Sequence, residues 1–215
     1  MIPLSILFQD EWLVAIDKPA GHLVHPSDTP KPDDLVAMKI LRDQIGEKIH
    51  VLHRLDQPTS GVILFAIDQH AAKKIRQAFE KRNIEKNYLA VVHGNPIQST
   101  WTCELPLRKK LEDPEKPAQT SFEVLQELQG NLALLRAQPH TGRFHQIRRH
   151  LLHSGHPIVG DFRYLDPEEC LAMGEQLGIG SRMLLQAKSL AFVHPITKER
   201  ILIEAPIEPL IAKLC

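Results

Sequence analysis

Apolar runs alternate with charged or turn-forming clusters along the whole chain. "SILFQDEWLVAIDKP" (5–19) sets two short apolar runs around Asp10 and Glu11 and closes on Pro19 and Gly21, which predicts two strands about an acidic turn. Between Asp33 and Gly46, Leu35, Met38, Leu41 and Ile45 recur at helical spacing, behind an acidic start and before a stopping glycine. "VILFAI" (62–67) is continuous and apolar, the mark of a central strand. Asp68 then caps a predicted amphipathic helix whose Ala71, Ile75 and Phe79 share one face while Lys and Arg point outward. "KNYLAVVHG" (86–94) returns as a strand, with Tyr88, Ala90 and Val92 on one side and Leu89 and Val91 on the other.

The second half continues the pattern. Residues 105–118 are a charged, proline-bearing connection, expected to be a mobile loop. "TSFEVLQEL" and "LALLRAQP" predict an antiparallel pair. Thr141 and Gly142 open a predicted helix that runs to about Ser154 and stops at Gly155, and a second helix covers 167–177. The strands "MLLQAKSLAFVHP" and "RILIEAP" precede a short C-terminal helix. Long strands with interspersed helices predict an α+β fold with a mixed, mostly antiparallel sheet. No internal repeat and no G-x-G-x-x-G is present.

With 215 residues, 43% of them hydrophobic, the chain can bury the core of one large domain or two small lobes. Its 26 basic and 26 acidic side chains cancel, so a nucleic-acid footprint has to be local. Two stretches qualify. Residues 73–86 carry six Lys/Arg against Glu80 and Glu85, and residues 136–163 carry five arginines against Asp161 with five histidines interleaved. The plainer alternative for either is a solvated helix face. Cys103, Cys170 and Cys215 lack CxxC spacing, which fits a reducing, cytoplasmic setting and neither a disulfide framework nor a zinc site. No segment approaches 18 consecutive apolar residues.

Four stretches are more polar than packing requires: "DKPAG" (17–21), "HRLDQPTSG" (53–61), "KNY" (86–88) and "HTGRFHQIRRHL" (140–151). In the last, a predicted helix carries Arg143, His145, Arg148, Arg149 and His150, with Arg143, Ile147 and Leu151 on one stripe and His145 and Arg149 paired at i, i+4. Such a helix suits phosphate binding, or the orientation of a carboxylate such as Asp56. The clustered His145, His150, His153 and His156 lack HExxH and any acidic neighbour, so no metal is expected. Ser60 lacks a surrounding G-x-S-x-G and reads as a turn hydroxyl.

"HRLDQPTSGVILFA" resembles the signature of the RluA family of pseudouridine synthases, roughly HRLDxxTSGxxxxA. "DKPAGHLVHP", "KNYLAVVHG", "KPAQTSFEVL", "HTGRFHQIRRHLLHSGHPIVGD" and "MLLQAKSLAFVHP" match that family in order, so the resemblance spans nearly the whole chain. It implies a single pseudouridine synthase catalytic domain over 1–215, with a central basic cleft and no separate S4 RNA-binding domain. It implies that Asp56 is the catalytic aspartate, that Arg54 enters the RNA stack, that Tyr88 packs on the flipped uracil and that Arg148 pairs with the aspartate. His53, Thr59, Arg143, His145, Gln146, Arg149 and Leu185 would complete the substrate-binding surface. Gln57, Phe144 and Asp17 depart from the family's usual Arg, Thr/Ser/Lys and Asn. The substrate implied is a structured RNA, with tRNA favoured at a T-arm or acceptor-stem uridine (of the position-65 type). A ribosomal RNA, or both, is the alternative.

The chemistry suits those residue types. Pseudouridine formation breaks N1–C1′ and joins C5 to C1′ with no redox change, so no cofactor or metal is expected. The uracil has to leave the helix, and Arg54 can fill the gap. Asp56 has to be ionised, whether it attacks C1′ or C6 or acts as a base at the ribose. Burial alone would raise its pKa, hence the need for a cation such as Arg148. The run after Gly61, with Leu184 and Leu185, would keep water out. Two other classes stay open: a non-catalytic RNA-binding protein, and a glycosidase-like hydrolase, which lacks a second carboxylate nearby in sequence. A monomer, away from membranes, is expected.

Overall fold

The computed structural model describes every residue except Met1, Pro30 and Arg82. Arg82, counted above among the cations of 73–86, lies outside the described residues. The chain divides into two compact units, Met1–Lys86 with Ala187–Pro206, and Asn87–Gln186 with Ile207–Cys215.

In the first unit, β1 (Ser5–Gln9) and β2 (Leu13–Lys18) form the expected hairpin, with the Asp10 carboxylate accepting from the Trp12 and Leu13 amides. β2 pairs antiparallel with β4 (Ser60–Ala66), whose seven residues are all buried. The two-residue β3 (His50–Val51) adds to the end of β4, and β9 (Leu185–Val193) lies beside it with β10 (Arg200–Glu204) outside. Residues buried on both faces explain why β4 is continuous rather than alternating. α1 (Ala37–Ile45) starts later than the apolar spacing predicts, and Gly46 ends it in the left-handed conformation. Asp34 is the reason: its side chain accepts from the Lys31 amide and closes a separate turn before the helix. α2 (Gln69–Glu80) is capped by Asp68, which accepts from the Ala71 amide at 2.7 Å. Ala71, Ala72 and Ile75 pack with Leu13, Val62, Leu64 and Phe192 in the core of this unit.

The second unit is a four-stranded antiparallel sheet in the order β5 (Glu85–His93), β8 (Leu132–Pro139), β7 (Thr120–Leu128), β6 (Thr100–Cys103). The strand β6 carries no apolar run and was not expected. The alternation of β5 is as the sequence predicts: Ala90 and Val92 join one apolar cluster, Leu89 and Val91 another on the opposite face. Against the first face lies α3 (Gln146–His153), through Ile147 and Leu151, each worth roughly 1.5–3 kcal/mol of burial. The second face is covered by α4 (Pro167–Leu177), capped by Asp166, and α5 (Pro209–Ala212). Residues 105–118 fold back on themselves rather than run as a free connection. Leu107 and Lys116 exchange backbone hydrogen bonds of 3.0 and 2.9 Å, and Leu107 is buried.

Candidate active site

In the first unit the β2–β4 register sets Lys18 opposite Gly61, so "DKPAG" and "HRLDQPTSG" meet at one end of a ladder. Gly61 has φ +105, and a Cβ there would meet the Ala187 carbonyl oxygen at 2.2 Å. Only glycine fits. Lys18 is completely buried, and its ammonium donates to the carbonyls of Pro19 (2.8 Å), His22 (2.8 Å) and Gln57 (3.2 Å). Gln57 and Gly21 bond reciprocally: the Gly21 amide donates to the Gln57 carbonyl, and the Gln57 side chain donates to the Gly21 carbonyl. The Thr59 amide returns to the Asp56 carbonyl at 3.0 Å. The half-buried Asp56 thus stands on a turn whose backbone is fixed from three sides. Lys18 was not singled out from sequence, although its polar stretch was.

Arg54 is exposed. His53 lies differently from its expected place on the substrate surface. Its Nε2 accepts from the Leu64 amide at 3.1 Å, and its ring packs on Phe79 at 4.7 Å. Burial, with the Lys86 charge adding, pushes its pKa down to about 3. His53 is a neutral strut between the loop and β4. Thr59 is likewise buried.

In the second unit Arg148 is 5% and Asp161 2% exposed, and they form a bidentate pair: Nε donates to Oδ2 at 2.8 Å and Nη2 to Oδ1 at 2.6 Å. The guanidinium also lies 5.1 Å from the Tyr164 ring centroid. Asp161 is the residue that sequence reasoning missed, and a lone acid among five arginines was the available signal. Tyr88, on β5, is half-buried and packs on the Phe122–Leu135 cluster.

The predicted helix 141–154 is shortened at its start. His145 is left-handed (φ 51) at the N-cap, so Arg143 and His145 leave the helical stripes expected of them. Gln146 causes this. Its Oε1 accepts from the Thr141 hydroxyl (2.6 Å) and the Arg143 amide (3.0 Å), while its Nε2 donates to the Gln119 carbonyl and the Thr120 hydroxyl, both at 2.9 Å. Two acceptor and two donor positions are filled, so Gln146 is a structural node rather than a substrate ligand. Arg143 donates to the Pro117 carbonyl and Arg149 to the Arg108 carbonyl. His145 Nδ1 lies 3.0 Å from the Tyr164 hydroxyl, and burial raises the Tyr164 pKa despite three nearby arginines. Leu185 is buried in the apolar cluster with Ile147 and Met183. The histidines disperse: His150 reaches the Leu105 carbonyl and His156 the His93 carbonyl.

Comparison with known proteins gives these placements a class. Residues 12–153 match the family model described as RNA pseudouridylate synthase. The chain therefore belongs to the RNA pseudouridylate synthase family, isomerases that act on RNA. It is 40% identical to tRNA pseudouridine synthase C of Haemophilus influenzae over 95% of this chain and 93% of that one. The tRNA pseudouridine synthase C of Vibrio cholerae is 37% identical, over 95% and 91%. Among solved structures, Human RNA Pseudouridylate Synthase Domain Containing 4 superposes with a TM-score of 0.78 at 26% identity, covering 97% of this chain and 90% of that one.

Proposed function

We propose that this protein converts one uridine of tRNA, in the T-arm or acceptor stem, to pseudouridine. The supporting observation is likeness over 94–95% of this chain to relatives named tRNA pseudouridine synthase C, at 36–40% identity among five of them. Asp56 is the reacting carboxylate, and Arg148 is a second catalytic residue. Tyr88 supplies the ring against the uracil, and Arg54 takes the space that the base vacates. His145, Arg143 and Arg149 contact the RNA backbone. The turn held by Lys18, Gly21 and Gln57 supports this reading, because a nucleophile has to be preorganised. So does the clamp on Arg148, since a guanidinium fixed by Asp161 keeps its position through the reaction. The reaction needs no added cofactor or metal. The three free cysteines fit a cytoplasmic enzyme, which acts as a monomer.

The test is to map pseudouridines by carbodiimide modification and reverse transcription in a deletion strain and its parent. One T-arm or acceptor-stem signal in tRNA should vanish, return with the wild-type gene and stay absent with Asp56→Asn. A signal lost only from ribosomal RNA would transfer the substrate to that RNA. No lost signal in any RNA would overturn the proposal.

A further inference from the structure

Three features flank α3. His145 is left-handed though not glycine, a strained conformation that persists only where its surroundings hold it. Its ring lies flat on Phe144, with centroids 3.7 Å apart and planes 20° apart. The exposed Arg163 sets its guanidinium 5.8 Å from the Phe144 centroid. Phe144 itself is half-buried and belongs to none of the apolar clusters of the described core. A phenyl ring is thus kept at the surface, in a stretch with five arginines and one acid.

The support beneath it is rigid. The Tyr164 and Leu165 amides donate to the Asp161 carbonyl, and the Arg163 amide to its carboxylate, so the turn carrying Arg163 is fixed by the residue that clamps Arg148. Tyr164 holds His145 through the 3.0 Å contact, and His145 backs Phe144. An aromatic face beside an exposed cation is the arrangement on which nucleobases stack, and it suits any base because every base has a π-face.

We propose that Phe144, backed by His145, is a stacking platform for an unpaired base of the RNA substrate, with Arg163 holding an adjacent phosphate. This rests on the RNA reading of the previous section and adds a specificity-determining pair to it. Phe144 stands where the resemblance leads one to expect Thr, Ser or Lys, so the platform belongs to this chain rather than to the motif.

The experiment compares wild type, Phe144→Leu and Arg163→Gln for tRNA binding by filter retention across a salt series, with thermal melts alongside. Phe144→Leu keeps apolar bulk but removes the flat face. It should raise Kd about five-fold or more, the low end for loss of one base–aromatic stack, with an unchanged salt slope and melting point. Its KM for tRNA should rise more than kcat falls. Arg163→Gln should reduce the slope of log K against log salt by about one. Wild-type Kd in Phe144→Leu, with or without a lower melting point, overturns the platform and leaves the stack a loop stiffener. An unchanged slope in Arg163→Gln overturns the phosphate contact. If wild type neither binds nor modifies tRNA, the proposed function fails instead.

Discussion

The two basic stretches, 73–86 and 136–163, carry the same excess of four positive charges, yet the fold uses them in opposite ways. On α2, Lys73 and Arg76 are exposed, as is Lys81 at its C-cap, the ordinary outer face of an amphipathic helix, although Arg76 also donates to the Val51 carbonyl. In the later stretch Arg148 is buried on Asp161, Arg136 pairs with Glu123, and Arg143 and Arg149 are committed to backbone carbonyls. Burying a guanidinium is costly unless it is paired and hydrogen-bonded, so the second region retains its charge for a reason that solubility does not supply. Equal counts therefore conceal a largely solvated helix face and a stretch in which Arg136, Arg143, Arg148 and Arg149 each have a protein partner. What separates them is the partner each cation has, and partners come from the fold.

The sharpest way to break this contrast is to remove Asp161. Asp161→Ala leaves the Arg148 guanidinium buried without its bidentate partner and should cost about 3–5 kcal/mol in denaturant unfolding. Asp161→Asn keeps one acceptor and the shape. It should fold, and the account expects its pseudouridine activity to fall well below wild type. Full activity in a folded Asp161→Asn would show that the clamp has no bearing on catalysis. Next in size is Lys18→Met. It leaves the carbonyls of Pro19, His22 and Gln57 without their shared donor, at about 1–3 kcal/mol for a buried group left unsatisfied. Activity should fall further than stability does, because the Asp56 turn loosens.

A smaller effect comes from His53. Its folded pKa, about 3, lies below the ordinary 6.5, so the unfolded chain binds the proton more readily. The stability that neutral His53 contributes is complete above pH 6.5 and lost as pH falls from there toward 3, by up to about 1 kcal/mol per unit. Urea unfolding of wild type and His53→Gln at pH 7 and pH 5 checks this, since the variant should show the weaker acid dependence. Smallest of all, Lys73→Gln on α2 and Lys81→Gln at its C-cap should change stability by less than about 0.5 kcal/mol. A large effect on unfolding there would erase the contrast between the regions.

Much of this molecule was legible in the chain. The strands β2 and β4, the cap at Asp68, the alternation of β5 and the bounds of α4 follow from local rules of period and capping. The α+β class follows from their order. Local rules failed where a distant partner decides the matter. Helix α3 lost its predicted first turn because Gln146 bonds Thr120 and the Gln119 carbonyl, which lie 26 and 27 residues away. His53 looked like a surface ligand because its acceptor role toward Leu64 exists only once β4 is formed. Asp161 stood out as the one acid of its stretch but was given no role, because its meaning is its geometry on Arg148. The motif blocks identified which stretches matter. They left open which of their side chains touch substrate and which hold the frame.

The central claim is that Asp56 performs the isomerisation. When C5 of uracil joins C1′, its hydrogen passes to solvent, so tRNA carrying uridine tritiated at C5 reports each turnover as released tritium. Wild type should release one equivalent per tRNA. Asp56→Asn, folded by circular dichroism and still binding tRNA, should release none above background. Tritium release by Asp56→Asn at a rate near wild type would contradict the account.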